Sequence, residues 1–211
     1  ILSGNNTYTG STAVTGGILS VSFLANGDVN SNLGAATADS ANLVLNGGIL
    51  RYSGASVDTD RLFSVGTAGG TLDASGTGPM NFTSTGNMGF NFQPGTRTLT
   101  LTGSNLGSNV ISPVIGDSVG ATTLVKTGAG TWILAGNNTY SGVTTISSGI
   151  LGIGNGGSTG TLGTGAVTNN ASLIFNRSDN VTVLNTISGT GSLTQAGAGV
   201  TTLTGSNSYS G

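Results

Sequence analysis

One heptapeptide pattern, Gly-x-Asn-x-Tyr-x-Gly, occurs three times in this 211-residue chain. The copies are GNNTYTG at Gly4–Gly10, GNNTYSG at Gly136–Gly142 and GSNSYSG at Gly205–Gly211. Each copy lies beside segments rich in Thr and Leu, which indicates that the chain consists of copies of one structural unit. This repetition constrains the fold more than any single residue does.

The similarity between the copies extends beyond the heptapeptide. Leu2–Val21 aligns with Leu134–Ile153 without a gap, and Leu124–Gly142 aligns in the same way with Leu193–Gly211. Apolar and polar residues alternate between the glycines, most clearly in TLTLT at Thr98–Thr102. Such alternation over four or five residues is typical of short, half-buried strands. No segment has a helical period with capping residues, so the sequence predicts an all-β fold.

The composition of the chain supports this prediction. Glycine occupies 39 positions, only 6% of the residues are charged, and there is no histidine or cysteine. Gly, Asn, Ser and Thr favour turns and β-structure over helix. Regularly spaced Leu, Ile and Val, with a mean hydropathy of +0.19, indicate a buried core rather than disorder. The scarcity of charge suits strands stacked in register, because like charges would repel along a ladder.

Two architectures accommodate many short strands: a closed sandwich or barrel, and a solenoid. A solenoid stacks each strand on the equivalent strand of the next coil, which gives the sequence a reason to recur. The offset from Leu124 to Leu193 corresponds to three coils of about 23 residues, and that from Leu2 to Leu134 to six coils of about 22 residues. The sequence therefore predicts a parallel β-helix of about nine coils of 22–23 residues, a single rod over residues 1–211 a little over 40 Å long at about 4.8 Å per coil.

The most complete copy is LVKTGAGTWILAGNNTYSGVTTISSGILGIG, at Leu124–Gly154. It resembles the autotransporter-associated β-strand repeat, or passenger-associated repeat, of bacterial surface proteins. In the last copy, Gln195 replaces the Lys of that pattern and Thr201 replaces its Trp. The resemblance implies a right-handed parallel β-helix in the passenger region of a protein that is secreted across the outer membrane and displayed on the cell surface.

The candidate site residues are those of the repeat pattern, and we expect them to have a structural role. With coils of the predicted size, the heptapeptide marks only every third or sixth coil, so it is expected to form a corner rather than a ladder. Its tyrosines would then lie too far apart for a continuous aromatic platform. The residues are Gly4, Asn6, Tyr8, Gly10, Gly128, Gly130, Trp132, Gly136, Asn138, Tyr140, Gly142, Gly205, Asn207, Tyr209 and Gly211.

The alternative function is that of a carbohydrate-active β-helix enzyme, similar to a polysaccharide lyase or hydrolase. Its site would use the closest pair of carboxylates, Asp58 and Asp60, beside Arg61. Their i, i+2 spacing would place both carboxylates on one side of a strand, with the arginine opposite. We favour the other interpretation, a solvated loop that carries three of the few charges. We therefore expect no catalytic residue.

Cofactor, metal and nucleic-acid sites are not predicted either. GIGNGG at Gly152–Gly157 matches a dinucleotide-binding pattern, but no helix is predicted after it to hold a pyrophosphate. The Asp residues recur at no common repeat position, which argues against a calcium-binding roll. The five basic residues are scattered and the net charge is −2, so no surface for nucleic acid is expected. No apolar run reaches the roughly 18 residues of a membrane helix.

The favoured function is a structural and adhesive extracellular rod, a passenger stalk or fibre segment of a bacterial surface protein, without catalysis. Residues 1–211 are expected to be a slice of a longer repeat protein. The expected partners are more of the same chain, or further copies of it, at both ends. Carbohydrate or protein of a cell surface or matrix is a second class of partner.

Overall fold

The computed structural model describes all residues from 1 to 211, which form twenty short β-strands and one turn of 3-10 helix at Ser40–Asn42. The strands are β1 (Thr12–Val14), β2 (Ile18–Val21), β3 (Leu43–Leu45), β4 (Ile49–Tyr52), β5 (Val57–Thr59), β6 (Ser64–Val65), β7 (Gly70–Ala74), β8 (Met80–Phe82), β9 (Arg97–Thr102), β10 (Ser108–Ile111), β11 (Thr122–Lys126), β12 (Thr131–Leu134), β13 (Thr144–Ile146), β14 (Ile150–Ile153), β15 (Val167–Asn169), β16 (Ser172–Phe175), β17 (Val181–Val183), β18 (Ile187–Ser188), β19 (Ser192–Gln195) and β20 (Thr201–Leu203). No helix of the chain has the length and apolar character needed to cross a membrane.

The strands stack in parallel along three faces of a solenoid. Face 1 is an eight-stranded sheet in the order β18-β15-β13-β11-β9-β7-β4-β2, and face 2 is a seven-stranded sheet in the order β19-β16-β14-β12-β10-β8-β5. Face 3 consists of β1-β3-β6 at one end and β17-β20 at the other, with single parallel bridges between them. The chain passes from face 1 to face 2 to face 3 in every complete turn, so the predicted parallel β-solenoid is confirmed.

The turns differ in length. The length of each turn can be read from residues that pair with one another on face 1, because each pairs with the equivalent residue one turn later. These residues are Ile18, Ile49, Thr71, Thr100, Val125, Thr145, Thr168 and Ser188. The turn from Ile18 to Ile49 is the longest and the turn from Thr71 to Thr100 is the next longest. These two early turns carry loops. The solenoid therefore has about seven turns instead of about nine, and it is about 34 Å long at about 4.8 Å per turn.

The core is a column of apolar side chains inside the three faces. Leu99 and Leu101 of β9 are fully buried while the threonines that alternate with them are only partly buried, as the alternation of TLTLT predicted. Register then places Leu99 under Leu124 in the next turn. The same stacking builds one cluster of 32 buried residues along the axis. Each fully buried Leu, Ile or Val contributes about 1.5–3 kcal/mol to folding.

Aligned residues of different sequence copies lie on different faces. Leu19 lies on face 1 but its counterpart Leu151 lies on face 2, and Leu124 lies on face 1 but its counterpart Leu193 lies on face 2. The first and second copies are thus offset by five turns plus one face, and the second and third by three turns plus one face. The interpretation as six and three whole coils was wrong for two reasons. Loops lengthen two of the turns between the first and second copies, whereas the turns between the second and third copies are on average shorter than 23 residues.

Candidate functional site

The central copy of the heptapeptide, Gly136–Gly142, forms the part of face 3 between β12 and β13. Its Asn138 is buried, and the side-chain oxygen accepts a hydrogen bond from the backbone N–H of Ile115 at 2.8 Å. The Nδ2 atom of the same amide donates to the carbonyl of Thr161 at 2.7 Å. Ile115 belongs to the preceding turn and Thr161 to the following one. One buried side chain therefore joins three successive turns, an arrangement called here an Asn clamp.

The other two copies make one half of this clamp each. Asn6 donates from Nδ2 to the carbonyl of Asn32, in the following turn, at 2.9 Å. Asn207 accepts through Oδ1 from the N–H of Ile187, in the preceding turn, at 2.9 Å. The Oδ1 atom of Asn6 and the Nδ2 atom of Asn207 make no hydrogen bond within the chain. The motif asparagine therefore has the same two hydrogen-bonding directions in all three copies.

A further Asn clamp lies outside the repeat pattern. Asn109, on β10, accepts from the N–H of Met80 at 2.9 Å and donates to the carbonyl of Thr131 at 2.7 Å. The side chain is fully buried. This residue was not among the predicted site residues, because it has no counterpart in the heptapeptide. A lone asparagine within an otherwise apolar strand, as in SNVI, is the signal that could have found it.

The motif tyrosine packs against a glycine of the following turn. Tyr140 is fully buried, its hydroxyl lies 2.8 Å from that of Thr144, and its carbonyl accepts from the N–H of Thr164 at 2.7 Å. A Cβ atom at Gly163 would overlap the ring of Tyr140. Burial raises the pKa of the Tyr140 hydroxyl. Each such tyrosine therefore requires a glycine one turn later.

The first copy repeats this geometry in a more open setting. The Tyr8 hydroxyl lies 2.9 Å from the hydroxyl of Thr12, and the Tyr8 carbonyl accepts from Ala35 N–H at 2.7 Å. A Cβ atom at Gly34 would overlap the Tyr8 ring. The Leu-Gly pair that follows each of these tyrosines, at 33–34 and 162–163, belongs to the stacking unit although it lies outside the heptapeptide. Tyr8, Tyr140 and Tyr209 lie on three different faces, which excludes a continuous aromatic platform.

The repeat glycines lie where adjacent turns approach most closely. A Cβ atom at Gly142 would overlap the carbonyl oxygen of Thr122 in the preceding turn, and one at Gly136 would approach the carbonyls of Ser112 and Pro113. At Gly10, which has no preceding turn beneath it, a Cβ atom would meet nothing within 4 Å. At Gly136 and Gly142 the requirement for glycine therefore comes from the neighbouring coil.

The Lys and Trp positions of the repeat also bind backbone carbonyls. Trp132 is fully buried and its Nε1 donates to Thr102 at 2.8 Å. Lys126 is fully buried, and its Nζ donates to the carbonyls of Thr127, Gly128 and Ser148 at 2.7, 2.9 and 3.0 Å. Burial lowers the pKa of Lys126 to about 8. The ammonium group thus joins one corner to the next turn.

Gln195, which is exposed, replaces this lysine in the third copy and also donates to carbonyls of the glycine-rich corner. Its Nε2 donates to the carbonyls of Gly197 and Gly199 at 3.0 and 2.7 Å. Its Oε1 accepts from the hydroxyl of Thr201, the residue at the Trp position, at 2.6 Å. The two residues that depart from the pattern therefore hydrogen-bond to each other.

Four of the five basic side chains are buried: Arg61, Arg97, Lys126 and Arg177. The expectation that Arg61 lies in a solvated loop was wrong. Its guanidinium donates at 2.9–3.2 Å to the carbonyls of Ala25, Asn26, Gly34 and Ala36, which lie in the loop of the longest turn. A charged group that is buried away from water requires hydrogen-bond partners of this kind.

Asp58 and Asp60 each hydrogen-bond to a different neighbouring turn. Asp58 is exposed and accepts from Asn81 Nδ2, in the following turn, at 2.8 Å. Asp60 accepts from the N–H of Gly27, in the preceding turn, at 2.7 Å. The predicted arrangement on one side of a strand fails because the chain leaves β5 at Thr59. No group of three or more Asp, Glu, His or Cys residues is close enough to share a metal ion.

Comparison with known proteins identifies the same three segments of the chain as repeats. The family model described as the passenger-associated-transport-repeat matches residues 1–21, 124–153 and 193–211, which contain the three heptapeptides. The chain therefore contains three segments of the passenger-associated-transport-repeat. A curated relative, the Adhesin BmaC autotransporter of Brucella suis biovar 1 (strain 1330), is 45% identical over 175 residues, which cover 82% of this chain and 5% of the relative. No solved structure matches the chain.

The matched segments place the family pattern in the solenoid. Residues 124–153 run through β11, β12, the corner and β13 to β14. One passenger repeat therefore covers two strands on face 1, two on face 2 and the corner on face 3 between them. The repeat spans more than one turn, so successive copies need not begin on the same face.

Proposed function

We propose that this chain is a structural and adhesive rod, a passenger stalk segment that stands outside a bacterial cell after secretion across the outer membrane. The observation that carries the proposal is the 45% identity to a protein named as an adhesin autotransporter, over 82% of this chain. The parallel solenoid supports it, because an extended stack gives reach. Since the chain spans only 5% of that relative, the partner of the whole protein is a separate question.

The role within the rod is mechanical and non-catalytic. Two observations support this part of the proposal: the repeat side chains hydrogen-bond to neighbouring coils, and Asp58 and Asp60 do the same. Parallel ladders on three faces would distribute an applied load over many backbone hydrogen bonds.

We also propose that residues 1–211 form one segment of a longer solenoid, on which further coils, or another copy, stack at both ends. The half-used clamps support this. Asn6 offers Oδ1 and Asn207 offers Nδ2 on the outer sides of the stack, where Asn138 binds a neighbouring turn with each atom.

Labelling of intact cells tests the proposed location and role. Antibodies against the 211-residue chain should label intact cells that produce the parent protein, and added protease should remove the label. Parent protein that lacks residues 1–211 should be exported but should mediate weaker attachment to host-cell monolayers. Label that requires permeabilised cells, or attachment unaffected by the deletion, would contradict the proposal.

A further inference from the structure

The largest groove on the molecule has a volume of about 500 Å³ and is not part of the repeat corner. It lies between the 3-10 helix at Ser40–Asn42 and the loop Phe90–Gly95, which belongs to the lengthened turn between Thr71 and Thr100 of face 1. Its lining includes Ser40 and Ala41 of the helix, Asn91 and Phe92 of the loop, and Ser118 and Val119. We call this feature the loop groove.

The loop that forms one wall is held from beneath by Arg97. The buried guanidinium donates to the carbonyls of Phe90, Gln93 and Gly95 at 3.2, 2.9 and 2.8 Å, and lies 4.8 Å from the centre of the Phe90 ring. The side-chain oxygen of Gln93 accepts from the N–H of Thr67 at 2.8 Å. A loop anchored at several points loses little conformational entropy when a ligand binds.

This anchored loop displays an aromatic ring to solvent. Phe92 is 96% exposed, whereas Phe63 and Phe82 lie fully inside the core. Asn91 and Phe92 both have left-handed backbone conformations, with φ of 51° and 53°. That conformation is strained for phenylalanine, and such strain is concentrated at binding sites and switch regions. Burial of the ring does not explain its position, because the ring is not buried.

The chemistry of the lining indicates what kind of ligand fits. No charged side chain lines the loop groove. Asn91 and Ser118 supply an amide and a hydroxyl, and Val119, 82% exposed, adds a second apolar surface. Asp39 and Asp117 adjoin the lining in sequence and the Arg97 guanidinium lies beneath the loop, so charges of both signs are near and the uncharged lining itself suits a neutral ligand.

We propose that the loop groove binds a neutral glycan. The apolar face of a hexopyranose ring would stack on Phe92, and its hydroxyl groups would exchange hydrogen bonds with the Asn91 amide and the Ser118 hydroxyl. Buried apolar contact plus a few placed polar groups is the usual composition of a small-ligand site. This assignment extends the proposed adhesive function by naming a class of ligand. It rests on that function in one respect: the rod must stand outside the cell for the groove to reach glycans on another cell's surface.

Titration of the 211-residue chain with defined sugars tests the site. Lactose and chitotriose serve as neutral probes and 3′-sialyllactose as the anionic probe, with backbone amide NMR signals as the readout. At least one neutral probe should shift the signals of residues 90–95 saturably at millimolar concentration, and the sialylated sugar should bind more weakly than lactose. Binding of neither neutral probe, or tighter binding of the sialylated one, would overturn the proposal.

Matched variants locate the site. Phe92→Ala should weaken binding of the neutral probe about tenfold or more, as expected for loss of an aromatic anchor, and Phe92→Tyr should retain it. Phe23→Ala is the control, because Phe23 is 48% exposed on a different lengthened turn and should be without effect. Equal weakening by both alanine variants would overturn the assignment. Failure of these titrations leaves the rod function to be judged separately, by the surface labelling.

Discussion

Individual polar side chains hold adjacent turns together inside this solenoid. Asn109 and Asn138 each satisfy a backbone N–H on one side and a carbonyl on the other. A buried polar group left without a hydrogen-bond partner costs about 1–3 kcal/mol of stability. These amides therefore stabilise the fold mainly because they give buried backbone N–H and carbonyl groups a partner. Lys126 does the same with an ammonium group at a repeat corner.

Replacement of Asn138 by alanine should be strongly destabilising. It leaves the Ile115 N–H and the Thr161 carbonyl unpaired, so we expect a loss of about 2–4 kcal/mol in the free energy of unfolding, measured by urea denaturation. Asn207→Ala is the matched control, since Asn207 is exposed and makes one such bond, and should cost less than about 1.5 kcal/mol. Equal losses in the two variants would contradict the clamp.

Lys126 should make stability rise with pH in the alkaline range. Its pKa in the folded chain, about 8, lies below the ordinary value of 10.5, so the unfolded chain binds more protons between these limits. The free energy of unfolding should therefore increase from pH 8 upward, by at most about 1.4 kcal/mol per pH unit. The raised pKa values of Tyr52 and Tyr140 act oppositely above about pH 10, so the useful range is pH 7.5–9.5.

The control for this titration is Lys126→Gln, the replacement that the third copy already contains as Gln195. This variant lacks the titrating amine, so its unfolding free energy should vary less over the same pH range. Parallel pH profiles for the two proteins, from chemical denaturation at each pH, would show that Lys126 does not titrate with a lowered pKa.

At the scale of elements, the strands are alike and the loops distinguish one turn from another. Each of three loops is held by one buried arginine: Ala25–Ala36 by Arg61, Phe90–Gly95 by Arg97, and Ser158–Gly160 by Arg177. A planar guanidinium with five donors can satisfy several converging carbonyls. Charged residues are scarce because the strands stack in register, and three of the five basic residues hold irregular segments in place.

Arg61→Met should loosen the first loop while leaving the distant turns intact. The substitution removes the hydrogen bonds by which one side chain ties four loop carbonyls together, although each carbonyl keeps one other donor. Amides near Ala25–Ala36 should therefore exchange hydrogen at least tenfold faster. Hydrogen exchange followed by mass spectrometry measures this. Arg51→Met is the control, because Arg51 is 41% exposed and its ion pair with Asp73 is worth about 1 kcal/mol or less. Unchanged exchange in the Arg61 variant would contradict the anchoring role.

At the scale of the whole molecule, the sequence copies turn around the rod. The heptapeptide corner lies on face 2 in the first copy, on face 3 in the second and on face 1 in the third, as its hydrogen bonds to Asn32, Thr161 and Ile187 show. The copies are separated by different numbers of turns but advance by one face each time. A residue repeated at each corner therefore does not form a continuous row along one side of the rod.

Removal of one whole turn should be tolerated. Deletion of residues 145–167 joins Thr144 to Thr168 and keeps every later strand on its own face, because Val167 lies one turn above Thr144. The shortened chain should keep its β-type circular dichroism and cooperative unfolding, and small-angle scattering should show a rod about 4.8 Å shorter. Deletion of residues 145–156 is the control: it moves later strands to the wrong face and should abolish cooperative unfolding. Similar folding of both would contradict the turn assignment.

Local sequence patterns were sufficient to predict the kind of architecture and the family. Alternation in segments such as TLTLT and the thrice-repeated heptapeptide are properties of neighbouring residues, and they predicted parallel stacked strands and the passenger repeat. The length of each turn, the face that each copy occupies and the burial of Arg61 became evident only in the folded chain. These depend on which distant backbone atoms meet when loops of unequal length close a turn, and a pattern of neighbouring residues does not encode that distance.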